Sequence, residues 1–191
     1  MKSFYITKYD KTSPLKFGDL PIPDISADQV LVEMHYASLN PIDFKIKHGD
    51  LKMVLPMKFP LILGNDGSGI VSKIGKNVKH FKVGDEVYLR PDKNSGIGTL
   101  AEFIAVGEDE LALKPKNLSL EEAASIPLVG LTVWQIYERA GLKKDRKFSF
   151  RQVPVEWEHL QFSGRNIWER KSQQPQVQKV LKCFSISEPI F

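Results

Sequence analysis

Asn40, Asp43 and Lys45 are the polar residues with the clearest capacity for chemistry in this sequence. They lie in the segment SLNPIDFKIKHG, directly after a stretch with strand periodicity. A carboxamide, a carboxylate and an ammonium group this close together can hydrogen-bond and orient a bound molecule. The same residues also allow a structural interpretation, in which Asn40 caps a helix that begins at Pro41. The two interpretations are compatible.

A glycine-rich segment, GNDGSGIVSKIG, is the second place where chemistry could occur. A glycine-rich turn binds phosphate when it lets backbone amides approach the ligand at the start of a helix. The spacing G-x-x-G-x-G differs from the dinucleotide fingerprint, and this segment does not open a helix. We therefore interpret Gly64, Gly67, Gly69 and Gly75 as residues that permit positive φ and close backbone contact in a β structure.

Residues 1–118 show short strands separated by turns, and these strands must position the polar residues. The segment DQVLVEMHYAS alternates, which predicts Val30, Val32, Met34 and Tyr36 on one face of a strand. The other predicted strands are KSFYITKY, SGIVSKIG, DEVYLR, TLAEFIAV and ELALK. This spacing predicts a compact β-barrel or sandwich.

A helical pattern begins at Ser119, which has the capping-box spacing to Glu122. Pro127 breaks or kinks the pattern, which then continues through GLTVWQIYERAG until Gly141 offers a stop. Its apolar residues recur at helical spacing: Leu131, Trp134 and Tyr137. Strands followed by a helix predict that a second domain begins here.

Composition and charge argue against several classes of protein. The formal net charge is +4, and basic residues are interleaved with acidic ones up to Asp145, which predicts no nucleic-acid partner. The single cysteine, Cys183, rules out an internal disulfide and a cysteine-rich zinc site. No segment approaches membrane-spanning length and the start lacks an apolar signal region, so we expect a soluble cytoplasmic protein without a membrane partner.

Several segments, in order, resemble the medium-chain dehydrogenase/reductase superfamily, in its zinc-independent quinone or enone oxidoreductase branch. They are YASLNPIDFKIKHG, FPLILGNDGSGIVSKIGKNVKHFKVGDEVYLR, GTLAEFIAV and SLEEAASIPLVGLTVWQIYERAGL. The resemblance extends to about Lys144. It implies a mainly β fold with some α, in which residues 1–118 form a GroES-like partial β-barrel and residues 119–145 are helices leading into a nucleotide-binding Rossmann domain.

The resemblance also implies an activity, which is hydride transfer from NADPH to a small-molecule quinone or enone. The cofactor performs the redox step, while the protein orients the reactants and supplies a donor near the developing oxyanion. In the zinc-dependent members a cysteine takes the place of Asn40, and a His-Glu pair takes the place of Asn65 and Asp66. The resemblance therefore implies that zinc is absent.

The resemblance assigns roles to four residues. Asn40 and Asp43 are implied to lie beside the nicotinamide and the substrate, with Lys45 as a further polar contact, and these three form the predicted catalytic set. Asn40 and Thr132 are implied to contact the cofactor. Thr132 has a second interpretation, as a helix residue whose hydroxyl bonds back to its own helix.

The sequence departs from the family after Lys144, where a Rossmann strand and a glycine-rich turn should follow. The segment RKFSFRQVPVEWEHLQF has no glycine-rich turn. Beyond Arg146 the chain contains no Ala, Asp, Met, Thr or Tyr and is enriched in Gln, Arg and Trp. Such a change of composition predicts a different origin for residues 146–191.

A one-base shift of the reading frame near Asp145 accounts for this change. Each intended codon would then combine the third base of one residue with the first two bases of the next. Under this rule Glu158 after Trp157 can stand only for glycine, as can Glu169 after Trp168. The permitted choices include QKVFIQAGSGGVGTFAIQ, which has a Rossmann strand and its phosphate-binding loop.

Three expectations follow for the chain. Residues 146–191 form an irregular out-of-frame tail, the Rossmann domain is essentially missing, and the chain does not bind NADPH and is inactive. Apolar helix surface meant for that domain is left exposed or covered by the tail, which favours self-association. The alternative hypothesis is a non-enzymatic GroES-like module that serves binding or oligomerisation.

Overall fold

The computed structural model describes residues 1–92 and 97–139. The expected tail, residues 146–191, and the expected helix stop at Gly141 lie outside the described residues. The chain divides into two compact units, Met1–Pro127 and Leu128–Phe191. None of the helices in the described ranges is long and apolar enough to cross a membrane.

Strands dominate the described residues. The strands are β1 (Lys2–Ile6), β2 (Lys16–Asp19), β3 (Gln29–Ser38), β4 (Leu61–Ile62), β5 (Asp66–Ile74), β6 (Glu86–Leu89), β7 (Phe103–Gly107) and β8 (Leu111–Leu113). The helices are α1 (Pro41–His48), α2 (Leu120–Ala124) and α3 (Pro127–Arg139). The six predicted strands correspond to β1, β3, β5, β6, β7 and β8; the short strands β2 and β4 were not predicted.

The strands pair as two antiparallel sheets. One has the order β2-β1-β4 and the other β7-β3-β5-β6-β8. The segment before β7 connects them, because Phe4 of β1 donates its N–H to the carbonyl of Leu100 over 2.8 Å, and Met34 of β3 donates to the carbonyl of Glu102 over 2.8 Å. This curled arrangement with few helices confirms the predicted GroES-like partial barrel.

The five-stranded sheet encloses an apolar core made of side chains that are almost inaccessible to solvent. Its members are Val30, Val32, Val71, Val87, Leu89, Ile104, Val106 and Leu111. A smaller cluster, of Ile6, Ile46, Leu61 and Leu63, packs α1 against the three-stranded sheet. Because Ile46 belongs to α1, this second cluster fixes the helix that carries the polar residues.

The predicted face of β3 is correct for its first half and wrong for Tyr36. Val30 and Val32 are fully buried and Met34 is half-buried, but Tyr36 is 45% exposed. Met34 pairs with Gly69 and Tyr36 with Ser68, which places an extra residue, His35, between them as a β-bulge. A bulge shifts the alternation by one residue, so Tyr36 points to the opposite face from Met34.

The glycines of the GNDGSGIVSKIG segment act as predicted. Gly64 has a φ of 103°, which L-residues rarely adopt. A Cβ on Gly69 would lie 2.0 Å from the carbonyl oxygen of Glu33, and one on Gly75 would lie 2.3 Å from that of Ala27. The segment continues as β5 rather than as a helix, so these glycines serve close packing between strands.

The capping box at α2 is confirmed. Glu122 donates its N–H to Oγ of Ser119 over 3.1 Å, and its carboxylate accepts the N–H of Ser119 over 2.8 Å. The helix packs against β3, β5 and β6. The hydroxyl of Ser68 in β5 donates to the carbonyl of Leu120 over 2.5 Å, so α2 is fastened to the barrel.

Replacing Gly69 by alanine should destabilise the fold more than the same change at Gly84. Crowding against the backbone of Glu33 should lower the free energy of unfolding by about 3 kcal/mol. Gly84 has a φ of 91° but no atom within 4 Å of the added Cβ, so only the backbone conformation opposes alanine there. That variant should lose about 1 kcal/mol. Urea unfolding of both variants measures this, and equal losses would contradict the crowding argument.

Candidate functional site

The candidate site lies where β3 ends and α1 begins. Asn40 occupies the N-cap of α1 with an extended backbone, φ −121° and ψ 157°. Pro41 favours this conformation, because the proline ring disfavours a helical residue before it and is itself suited to the first helical position. At the other end, Gly49 ends the helix with a φ of 80°. The expectation that Asn40 caps a helix is therefore confirmed at the level of the backbone.

Asp43, in the first turn of α1, is 3% exposed and its carboxylate accepts three hydrogen bonds. The N–H of Asn40 donates over 2.7 Å, Nδ2 of Asn65 donates over 2.6 Å and the N–H of Gly64 donates over 3.2 Å. Asp43 thus joins the start of α1 to the turn between β4 and β5. Removing any one donor would leave part of a buried carboxylate without its partner.

Asp66, the first residue of β5, is the second buried carboxylate of the site and is fully inaccessible to solvent. Its Oδ2 accepts a hydrogen bond from Nδ2 of Asn40 over 2.9 Å and one from the hydroxyl of Ser38 over 3.4 Å. Asn40 therefore touches both acids, Asp43 through its backbone and Asp66 through its side chain. The Asn40 amide is held in one orientation as a result.

Thr99 and Arg90 complete the surroundings of Asp66. The hydroxyl of Thr99 donates to the carbonyl oxygen of Asp66 over 2.8 Å, and Thr99 is 1% exposed. Burial lowers the pKa of Arg90, while the charges of Asp66 and Asp92 oppose that effect. A cation that stays near Asp66 offsets part of the cost of burying a carboxylate.

Burial is the main influence on the pKa of Asp43. Removal from water raises this pKa above its ordinary value of 3.8, and the hydrogen bonds from Asn40, Asn65 and Gly64 oppose the rise. Protonation becomes easier because the ionised form loses more hydration than the neutral form. The carboxylate is held by its donors, which suits it to positioning other groups.

Lys45 and Thr132 are the two remaining residues of the predicted site. Lys45 is exposed, and two residues after Asp43 it projects from a different side of α1. Thr132 belongs to α3 in the second unit, where its hydroxyl donates to the carbonyl of Leu128 over 2.7 Å. The second interpretation of Thr132, a hydroxyl bonded back to its own helix, is thus confirmed. Its cofactor contact stays a prediction.

The structure adds members that sequence reasoning missed. Asn65 and Asp66 were named only as replacements of zinc ligands, while Ser38 and Thr99 were not named at all. Asn65 and Asp66 follow Gly64 at the start of the glycine-rich strand β5, and this glycine is the local signal that could have drawn attention to them. Thr99 carries no such signal, because a contact across 33 residues to Asp66 depends on the tertiary fold.

The arrangement can orient a ligand, but it offers no obvious nucleophile. Both acids are buried and engaged by donors. Nδ2 of Asn40 carries two hydrogens, of which Asp66 accepts one in the described part of the chain. No group of three or more His, Cys, Asp or Glu residues within residues 1–92 and 97–139 is placed to hold a metal ion. Hydrogen bonding and exclusion of water are the chemical resources of this site.

Comparison with known proteins identifies the domain that holds the site. Residues 26–116 match the alcohol dehydrogenase GroES-like domain. This match assigns residues 26–116, rather than the whole chain, to the GroES-like domain. The match includes β3, α1 and β5, so every member of the Asn40 network lies within the GroES-like domain.

Individual relatives agree with this assignment. The 2-methylene-furan-3-one reductase of Solanum lycopersicum is 41% identical over 152 residues, which cover 76% of this chain and 39% of that protein. The quinone oxidoreductase of Coxiella burnetii superimposes with a TM-score of 0.67 at 33% identity, covering 76% of this chain and 46% of that one.

A third relative was solved with a cofactor. The Escherichia coli quinone oxidoreductase complexed with NADPH superimposes with a TM-score of 0.65 at 28% identity, covering 73% of this chain and 41% of that one. The resemblance to the quinone and enone oxidoreductase branch is confirmed. The chain spans about two fifths of the length of the curated relatives that it matches.

Replacing Asp43 by asparagine should destabilise the GroES-like domain by about 2 kcal/mol, the cost of leaving a buried donor without its acceptor. In asparagine an NH2 group replaces one of the two carboxylate oxygens. This NH2 group must face either the N–H of Asn40 or the donors Asn65 and Gly64, so two donors oppose each other in both orientations. Asp19→Asn is the matched control, because Asp19 makes an exposed salt bridge with Lys2. Urea unfolding should show a clear loss for Asp43→Asn and a much smaller one for the control. Equal losses would contradict the role of Asp43.

The contribution of Asp43 to stability should also depend on pH. Between the ordinary pKa of 3.8 and the raised value, the folded state binds more protons at Asp43 than the unfolded chain does. Stability from this group therefore falls as the pH rises through that window and increases as the pH falls. The difference in unfolding free energy between the unmodified protein and Asp43→Asn should widen as the pH is lowered towards 3.8. A difference that narrows would mean that the hydrogen bonds outweigh burial.

Proposed function

We propose that the described residues are the GroES-like half of an NADPH-dependent quinone or enone oxidoreductase that works without zinc. The observation that supports the proposal is the Asn40 network, which lies inside the matched domain. It has hydrogen-bonding groups at positions where the resemblance implies zinc ligands in other members. The printed names of the relatives support the substrate class. One is named a 2-methylene-furan-3-one reductase, and others are named quinone oxidoreductases.

In this proposal the GroES-like half orients the substrate and NADPH, when bound, supplies the hydride. Asn40 donates its remaining amide hydrogen towards a carbonyl oxygen that gains negative charge. Asp66 holds that amide in orientation, and Asp43 fixes the start of α1 on which Asn40 lies. Lys45, exposed on α1, is proposed as a further polar contact to the substrate or cofactor, and Thr132 as a contact to the nicotinamide.

The residues at the site support a mechanism without zinc. Zinc sites in proteins use cysteine, histidine and carboxylate ligands, usually four in a structural site and three in a catalytic one. Asn40 and Asn65 present carboxamides, which are poor ligands for this metal. Asp66 is the one carboxylate at the corresponding positions, and it is already engaged by Asn40 and Ser38. These residues therefore suit hydrogen bonding better than metal coordination.

The described residues do not fit the pyrophosphate of a dinucleotide. Binding of that group requires glycines whose backbone amides approach it at a helix N-terminus. The glycine-rich turn at Gly64 leads into β5, and the space beside Gly67, Gly69 and Gly75 is filled by the carbonyl oxygens of Tyr36, Glu33 and Ala27. We therefore propose that the chain as written does not bind NADPH.

Titration with NADPH tests this part of the proposal. Nicotinamide fluorescence should show no saturable binding to the full chain up to about 100 μM, a concentration within the range of typical Michaelis constants. An active quinone oxidoreductase serves as the positive control in the same buffer. Saturation at micromolar concentration would overturn the proposal that the chain as written lacks a phosphate cradle.

Restoring the proposed reading frame tests the enzyme assignment. A one-base change near the codon of Asp145 should produce a chain with the AGSGGVG loop, which binds NADPH and oxidises it in the presence of an enone or a quinone. Asn40→Ala in that chain should lower turnover on the order of 10²-fold, as expected when one donor to a developing oxyanion is lost. Lys76→Ala, an exposed change in the β5–β6 turn, is the control. The frame-shift hypothesis would be refuted if the coding DNA, translated after a one-base shift, did not give the glycine loop.

Self-association of the chain is also proposed and is measured by size-exclusion chromatography. Several large apolar side chains on the GroES-like domain are exposed, namely Phe17, Leu39, Phe44, Met53 and Val54, at 53–88%. Trp134 of α3, by contrast, is buried. The expected result is elution as oligomers or aggregates, because apolar surface of this kind favours association. A clean monomer would contradict it, and would also disfavour the alternative hypothesis of an oligomerisation module.

A further inference from the structure

The loop between β1 and β2 is organised around one carboxylate, that of Asp10. Oδ1 of Asp10 accepts the N–H of Thr12 over 2.8 Å, the hydroxyl of Thr12 over 3.0 Å and the N–H of Ser13 over 3.1 Å. Oδ2 accepts the hydroxyl of Ser13 over 2.8 Å. These hydrogen bonds lower the pKa of Asp10, so the carboxylate is ionised at neutral pH.

The same loop is fastened to α1. The N–H of Asp10 donates to the carbonyl of Lys47 over 3.0 Å. In return, Nζ of Lys47 donates to the carbonyl of Asp10 over 2.8 Å and to that of Lys11 over 3.3 Å. Lys47 lies in the last turn of α1, the helix that is capped by Asn40 and carries Asp43 in its first turn. Three hydrogen bonds therefore join the loop to the helix of the candidate site.

Ser13 has the sequence context of a modification site. It is followed by Pro14 and, three positions on, by Lys16, and it is the only Ser or Thr in the whole sequence that precedes a proline. Ser13, Pro14 and Lys16 are all exposed and Ser13 lies outside any helix or strand. Because proline has no N–H, an apolar pocket that accepts it leaves no buried donor unsatisfied, whereas any other residue would leave one.

We propose that Ser13 is phosphorylated by a proline-directed protein kinase of the kind that also selects a basic residue three positions after the acceptor. The hydroxyl oxygen of Ser13 attacks the γ-phosphorus of ATP. A P–O bond to Ser13 forms, the bond from that phosphorus to the β–γ bridging oxygen breaks, ADP leaves and the hydroxyl proton passes to the kinase. The proposal does not depend on binding of NADPH by this chain.

The phosphate acts on the loop through charge. It carries close to two negative charges at neutral pH and takes the place of a hydroxyl that donates to Asp10, so attraction is replaced by repulsion between two anions. Lysines near the loop, Lys8, Lys11 and Lys16, offer the phosphate new partners; Lys8 now lies 3.5 Å from Asp10. The hydrogen bonds of Asp10 are lost as a result, and the fastening of the loop to Lys47 weakens.

Incubation of the full chain with a purified proline-directed kinase and Mg·ATP tests the proposal, with phosphate located by mass spectrometry. One phosphate per chain is expected, on Ser13. Ser13→Ala should abolish incorporation, Pro14→Ala should lower its rate at least tenfold, and Lys16→Ala should lower it severalfold. Thr12→Ala, which leaves the Ser-Pro pair intact, is the matched control and should still be phosphorylated.

Two further measurements make the result decisive. A peptide of residues 8–17 should be phosphorylated by the same kinase, and phosphorylation of the full chain should speed amide hydrogen exchange at Asp10 at least tenfold. Incorporation that persists in Ser13→Ala would overturn the proposal. The proposal would also be overturned if the peptide were phosphorylated but the folded chain were not, or if neither were phosphorylated. Unchanged hydrogen exchange at Asp10 after phosphorylation would overturn it as well.

Discussion

Two buried carboxylates, those of Asp43 and Asp66, lie at one corner of the barrel and need hydrogen-bond donors or a cation to replace water. The surrounding structure depends on that requirement. An ionised carboxylate in a protein interior is stable only when hydrogen bonds or a cation replace the water it has lost. Asp43 and Asp66 meet this condition with donors drawn from separate parts of the chain, and Asn40 supplies one hydrogen bond to each of them. The carboxamide of Asn40 is thereby immobilised more firmly than a surface asparagine would be.

The donors also explain why the polar corner is compatible with a stable fold. Gly64 and Asn65 come from the turn between two strands, and Ser38 comes from the end of β3. Thr99, from the segment that joins the two sheets, adds a hydrogen bond to the backbone carbonyl of Asp66. The small apolar cluster around Ile46 holds α1 from the other side. Polar and apolar contacts therefore determine the position of the same helix, which reduces the freedom of any group on its first turn.

Local patterns predicted much of this domain, and long-range contacts account for what they missed. Alternation located β3, and the Ser119–Glu122 spacing located the start of α2, because both depend on neighbouring residues alone. The bulge at His35 reverses the face of Tyr36, but the alternation of residue types in the β3 sequence gives no sign of it. Local patterns identified only some residues of the polar network. Asn40 and Asp43 stand beside a proline that predicts a helix, whereas the partnership of Asp66 with Asn40 and Thr99 exists only once distant segments have come together.

The hydroxyl of Ser68 and the carbonyl of Leu120 show that the short helix after the last barrel strand is integral to the barrel. Ala123 and Ala124 of that helix are buried, and its contacts run to three strands. A version of the protein that ends after Leu118 would lack this helix, so the face of the sheet beneath it, including Ser68, would be exposed to water. A version that ends after Pro127 would retain it, so the natural place to divide the polypeptide for crystallisation or isotope labelling lies at the end of the first compact unit.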